Sequence, residues 1–175
     1  MTPPRSRPKL PTRHRPRAKA RPLLSKSKAV GTVQLATEFL AAARNARQGA
    51  PEPSRVATFL YCHGVELLLK GALICAGIDE VTLRDLGHDL SATLRAVRHH
   101  PAAIQPKLTR TDYYVPGCLN TMYSAKDFEY LFTGFRRYPN LDPVEDLSTR
   151  MVAYLKPAIE MAVRSSLRRG NPGSG

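Results

Sequence analysis

The stretch from Ser54 to Gly77 restricts the possible folds of this chain more than any other segment. Val56, Phe59, Leu60, Leu67, Leu68, Leu69, Ala72, Leu73 and Ile74 recur at helical spacing and cover most of one helix's circumference. A helix apolar nearly all round leaves no face for solvent and belongs at the centre of a bundle. Ser54 is placed to cap its start and Gly77 to stop it at C′. Yet this helix carries His63, Glu66 and Lys70, spaced i, i+3, i+7 and therefore close to one face. Charges in such surroundings are costly unless paired. Glu66 and Lys70 form a favourable i, i+4 pair. Two readings follow: a structural ion pair that fixes the helix, or the polar wall of a small anion or nucleotide site.

The rest of the chain also reads as helix. Val33, Ala36, Leu40 and Ala43, with Leu35, Phe39, Ala42 and Ala46 on the neighbouring row, predict a first helix ended by Gly49 and Pro51-Glu52-Pro53. A single helical turn is expected around Leu83 to Leu86. A third helix starts close to Gly87-His88-Asp89, uses Leu90, Leu94 and Val97, and stops before Pro101. Asp89 in its first turn suits the positive end of the helix dipole. His88 either packs and caps this helix against the second or joins a polar site with Glu66 and Lys70. Residues 101–117 hold three prolines and no period, which predicts a long loop. Residues 118–136, rich in aromatics, predict a helix interrupted at Gly134 and closed by Pro139. Asp142 as N-cap, Pro143 at N1 and Glu145 at N3 announce a last helix. Its buried stripe is Val144, Leu147, Met151, Leu155, Ala158, Ile159 and Ala162, and Pro157 should kink it. Nothing reads as sheet. The expected class is all-α, an antiparallel bundle of four to five helices.

The formal charge of +13 is unevenly spread. Residues 1–28 contain ten Lys or Arg and no acid, which leaves 17 basic against 14 acidic side chains in the rest. The body is near neutral and the charge belongs to a tail. With so little to bury, residues 1–28 are expected to be disordered, residues 29–168 to form the bundle and residues 169–175 to be flexible. Arg5, Arg7, Lys9, Arg13, Arg15, Arg17, Lys19 and Arg21, interleaved with proline, would neutralise phosphates of a nucleic acid without reading bases, or serve only as a solubilising extension. Cys62, Cys75 and Cys118 are odd in number and lack C-x-x-C spacing, and the five His are scattered. No metal site is predicted, and reduced structural thiols in the cytoplasm are the expectation. No apolar run reads as the ~20 residues of a membrane span. No h-region follows the basic N-terminus, and six prolines in the first 22 residues oppose an amphipathic transit helix.

The run His63-Gly64-Val65-Glu66-Leu67-Leu68-Leu69-Lys70-Gly71-Ala72-Leu73, followed by Leu86-Gly87-His88-Asp89-Leu90, resembles the HEPN (higher eukaryotes and prokaryotes nucleotide-binding) domain family. That family carries an E-x-x-x-K helix and a G-H-D-L turn. Lys126-Asp127-Phe128-Glu129-Tyr130 and Arg136-Arg137-Tyr138-Pro139 resemble its aromatic, Tyr-Pro-terminated stretch, and the likeness spans roughly residues 30–165. The resemblance implies an all-α bundle, usually dimeric, with nucleotide or RNA binding, sometimes beside a nucleotidyltransferase partner. It makes Glu66, Lys70, His63 and His88 a polar cluster, with Arg137 and Tyr138 as neighbours. Toxin branches of the family are metal-independent ribonucleases with an R-x4-6-H motif in the last long helix. There a histidine moves a proton and an arginine holds the scissile phosphate.

Here the chain departs from the family. Every His lies at or before position 100, so the last helix supplies none. Arg95 to His100 fits the bare pattern, as does Arg7 to His14 in the tail. The reading that follows is a cytoplasmic HEPN-like binding or accessory module, a homodimer with no cofactor and no membrane contact, in an RNA-related or toxin–antitoxin-like setting. The alternatives are a ribonuclease toxin using Arg95 and His100, and a structural protein-interaction domain.

Overall fold

The structure, a computed structural model, describes residues 22–48, 54–125 and 139–169. Among these residues the protein is all-α, with no strand. Its helices are α1 (Pro22–Gln48), α2 (Arg55–Cys75), α3 (Glu80–Asp85), α4 (Leu90–His99), α5 (Tyr114–Tyr123) and α6 (Asp142–Arg169), with one 3-10 turn at Thr111–Tyr113.

The central position of α2 follows from its composition. It packs on α1, α4, α5 and α6, and its side chains from Ala57 to Leu73 include Tyr61, Leu68 and Leu69 with no exposure at all. Each such leucine contributes about 1.5–3 kcal/mol relative to an exposed one. Ser54 Oγ accepts the N–H of Ala57, as its cap position predicts. Gly77, at φ 92°, ends the helix: its N–H donates to Ile74 O and that of Ile78 to Leu73 O, the paired bonds of a Schellman stop.

The α1–α2 contact has a regularity of its own. On α1, Ala29, Val33, Ala36, Leu40 and Ala43 are buried at alternating steps of four and three. Opposite them, Ala57, Gly64 and Gly71 recur every seven residues and are buried as well. A Cβ built on Gly64 would lie 2.6 Å from Leu40, and one on Gly71 2.6 Å from Val33 Cγ2. The missing side chains let the two helices close on each other like a heptad seam. Gly64 meets Leu40 and Gly71 meets Val33, so the helices run antiparallel.

α6 is antiparallel to α1 too. Arg47 pairs with Asp142 and Glu145, Arg44 with Glu145 and Thr149, and Lys156 reaches Gln34. Lys26 at the other end reaches Ser166. Tyr61 Oη donates to Glu145 Oε2 at 2.9 Å and ties α2 into the same seam. Burial raises the Tyr61 phenol well above its ordinary pKa, and the Glu145 carboxylate adds to this. Of the expected stripe on α6, Val144, Leu147, Met151, Leu155 and Ile159 are buried, joined by Ser148, while Ala158 and Ala162 are only half-buried.

Several expectations are corrected. Helix α1 starts at Pro22, seven residues before the predicted boundary, because proline is pre-set for a first helical turn and Lys26 and Lys28 find partners in Ser166 and Glu80. On its neighbouring row Leu35 and Ala42 are exposed. Part of the predicted 101–117 loop is helical: α5 begins at Tyr114, since Pro116 falls in its first turn, where no N–H is needed. That helix ends at Tyr123, and the rest of the predicted 118–136 segment lies largely outside the described residues. In α6 the first helical bond runs from Glu145 N–H to Leu141 O, one residue earlier than the predicted cap. Asn140 Oδ1 takes the Asp142 N–H instead, and Arg47 draws Asp142 and Glu145 away from the backbone. The same contacts, Arg47 first, hold the Asp142 carboxyl below its usual pKa. Pro157 sits exposed within α6. Finally, α2 at 21 residues is long and apolar enough to cross a membrane, contrary to the sequence reading, although most of it is buried against the other helices. Counting only uninterrupted apolar runs hid this, because Glu66 and Lys70 break the run.

Candidate functional site

Glu66 is the buried centre of the polar cluster, with 2% of its surface exposed. Its position on α2 turns the carboxylate toward the turn before α4 and toward α5. Lys70, one helical turn on, places Nζ 2.6 Å from Glu66 Oε1 and 2.7 Å from the carbonyl oxygen of Gly87. Gly87 has φ 54°, a left-handed conformation that costs glycine little and aims its carbonyl at the ammonium. His88 Nδ1 then lies 3.0 Å from Glu66 Oε2. Asp89 is the N-cap of α4, its Oδ1 accepting the N–H of Ala92 at 2.7 Å, and Leu90 is fully buried. Each residue of the Gly87-His88-Asp89-Leu90 turn therefore has a structural task.

The turn is closed from α5. Asn120 Oδ1 accepts the N–H of Leu90 at 2.8 Å while its Nδ2 donates to Asp89 Oδ1 at 3.1 Å. Tyr123 Oη donates to Glu66 Oε2 at 2.5 Å and lies 2.8 Å from His63 Nδ1. His63 Nδ1 is itself 3.7 Å from Glu66 Oε2, and its ring stacks with Phe59 and meets Phe39 edge-on. The sequence reading missed Asn120 and Tyr123. They lie more than fifty residues from Glu66, and no local spacing links them to it.

Proton counting fixes the histidines. The phenol's single proton goes to Glu66, so Tyr123 Oη accepts from His63, whose Nδ1 must carry a proton. Oε2 of the carboxylate only accepts, so His88 also carries its proton on Nδ1. In the neutral form each ring then presents Nε2 as its acceptor. The charged form of Glu66 is strongly favoured. Burial pushes its pKa up, but the nearby His63 ring and the hydrogen bonds from Lys70, Tyr123 and His88 outweigh that and hold it at about 2. Among the described residues no buried side-chain nitrogen or oxygen lacks a hydrogen-bond partner.

The remaining candidates are dispersed. Arg95 lies exposed on α4, and His100 is that helix's C-cap, its Nδ1 facing the N–H of Ala102 at 3.3 Å. Neither joins the Glu66 cluster. Arg137 and Tyr138, and the basic residues Arg5, Arg7, Lys9, Arg13, Arg15, Arg17, Lys19 and Arg21, lie outside the described residues. All three cysteines are free thiols: Cys62 buried, Cys75 half-buried and Cys118 exposed. Burial pushes the Cys62 and Cys75 thiols up and makes them poor nucleophiles. Among the described residues no three His, Cys, Asp or Glu side chains are grouped to hold a metal ion.

The fold and the cluster together define an all-α protein organised around the buried, hydrogen-bonded carboxylate of Glu66. No family model, no curated protein and no solved structure matches this chain.

Proposed function

We propose that this chain is a HEPN-like helical binding module, a cytoplasmic homodimer acting on RNA or a nucleotide in an accessory, non-catalytic role. The observation that carries the reading is the meeting of its two motifs. Lys70 of the E-x-x-x-K helix bonds the Gly87 carbonyl, and Glu66 of the same helix bonds His88. Motifs separated in sequence are thus two halves of one structure, and Tyr123 of the aromatic-rich segment closes it. Among the described residues every buried side-chain nitrogen and oxygen is partnered, which supports a cluster that sets geometry.

The ribonuclease alternative would rest on Arg95, exposed in the middle of α4, and His100, half-buried at its C-cap, neither of which joins the cluster. Incubating the full chain with labelled RNA, without metal, separates the readings. Binding without cleavage is expected. Cleavage abolished by Arg95→Ala or His100→Ala would overturn the non-catalytic reading. Failure to bind both RNA and nucleotides would favour a protein-interaction domain, and light scattering reports whether the chain is a dimer.

A further inference from the structure

We propose that the face formed by the end of α4, the α4–α5 connection and the middle of α6 is a docking surface for single-stranded nucleic acid, with tyrosine rings stacking bases and flanking cations holding phosphates. This rests on the nucleic-acid reading above and gives it a surface. The face is continuous through its contacts. The Arg98 guanidinium lies 5.1 Å from the centroid of the Tyr113 ring, and Lys107 Nζ 5.9 Å from that of Tyr154. Asp112, beside Tyr113, is ion-paired with Arg150, which stands one helical turn before Tyr154 on α6.

Charge on the α4 and connection part of this face is one-sided. Between Leu90 and Tyr114 the cations are Arg95, Arg98, Lys107 and Arg110, all exposed, and the one acid is Asp112. Asp112 is only 5% exposed; Arg150 takes one of its oxygens and the Thr109 N–H donates to the other at 2.7 Å. Its charge is spent on fastening the connection to α6. The next acid along α6 is Asp146, one turn before Arg150.

Aromatic exposure has the same address. Tyr113 and Tyr154 are each 37% exposed and Tyr114 64%, although tyrosine rings are worth burying. Exposed rings alternating with cations are what a flexible polyanion with flat bases requires. An acidic peptide would use the cations and ignore the rings. A duplex hides its base faces, so the rings would have nothing to stack on.

The test uses the full chain and a fluorescein-labelled oligouridine RNA, followed by anisotropy across a salt series. Tyr113→Ala with Tyr154→Ala should weaken binding at least about tenfold, while Tyr113→Phe with Tyr154→Phe, which keeps the rings, should stay within about twofold of wild type. Arg98→Gln with Lys107→Gln should lower the salt slope by about 1.4, at roughly 0.7 per single-strand phosphate. Circular dichroism checks that each variant folds. Unlabelled oligothymidine competing as well as RNA supports a generic single-strand face, and weaker competition supports one that reads ribose. Duplex RNA or polyglutamate competing equally with the single strand overturns base stacking. If wild type binds RNA but both tyrosine variants bind identically, this surface is refuted and the binding module survives. If wild type binds no nucleic acid, this surface falls, and the binding module stands only if the chain still binds a free nucleotide.

Discussion

Tyr123 Oη donates to Glu66 Oε2 at 2.5 Å across 57 positions of sequence and joins α5 to the centre of α2. The same oxygen accepts from His63 Nδ1 at 2.8 Å. Tyr123→Phe removes one hydroxyl and keeps the ring, so packing changes little. Hydrogen bonds to charged groups contribute about 1.5–3 kcal/mol, and the variant should lose stability in that range. Urea unfolding reads it as a lower midpoint with an unchanged m value. A midpoint equal to wild type would mean that only the ring matters.

Glu66→Ala should cost more. It strands Lys70, whose side chain is 16% exposed, beside one neutral carbonyl, and removes the acceptor of His88. Leaving one partner of a buried pair uncompensated costs roughly 3–5 kcal/mol. Lys70→Met combined with Glu66→Gln removes both charges at similar volume and should recover part of the loss. Equal melting temperatures for wild type and Glu66→Ala would show the pair to be merely solvated.

The pH dependence has a definite sign. Glu66 titrates near 2 in the folded chain, against an ordinary value of 4.5, so the unfolded chain binds its proton first as pH falls. Its contribution is fully present above about pH 5 and is lost as the pH drops from 4.5 through 2. Asp79, bonded to the Thr82 N–H, and Asp142, bonded to Arg47, are also depressed and add to the same acid limb. Subtracting the Glu66→Gln profile isolates the share of Glu66. Parallel profiles for the two proteins would assign the acid limb elsewhere.

Gly71→Ala sets two effects in opposition. Alanine favours a helix interior by about 1 kcal/mol over glycine. Its Cβ, however, would stand 2.6 Å from Val33 Cγ2, a branched side chain with little freedom to move. Overpacking a close contact costs about 1–3 kcal/mol, so net destabilisation is expected. Val33→Ala in the same chain should restore part of it. A Gly71→Ala protein more stable than wild type would show that the helices can separate cheaply.

What the sequence disclosed follows the range of each interaction. The helical class, the α2 cap at Ser54, the Gly77 stop and the buried stripe of α6 all depend on spacings within a turn or two. The Glu66–Lys70 pair was legible for the same reason, being i, i+4 on one helix. Tyr123 and Asn120 were not, because they reach the cluster only once α5 has packed. The cap of α6 was misplaced because Arg47, nearly a hundred residues away, competes for Asp142 and Glu145. Ala36 and Ala43 were legible beside Val33 and Leu40, but the facing Ala57–Gly64–Gly71 series was not, because small residues carry little hydrophobic signal of their own.

The start of α1 yields a last prediction. Lys26 reaches Ser166 on α6, while Lys28 and Glu80 form a surface pair with both side chains more than half exposed. Exposed pairs contribute little, so Lys26 should dominate. Deleting residues 1–28 should therefore leave the chain about 1 kcal/mol less stable than deleting residues 1–21, the usual value of one hydrogen bond. Lys26→Met should reproduce most of the difference. Deleting residues 1–21 also removes eight of the 27 Lys and Arg side chains. Nonspecific nucleic-acid affinity should fall and its salt dependence flatten, since each lost phosphate contact releases about one counterion fewer. Binding that remains should then respond to Arg98→Gln with Lys107→Gln. If instead the shortened chain keeps the full salt slope, the tail makes no phosphate contacts.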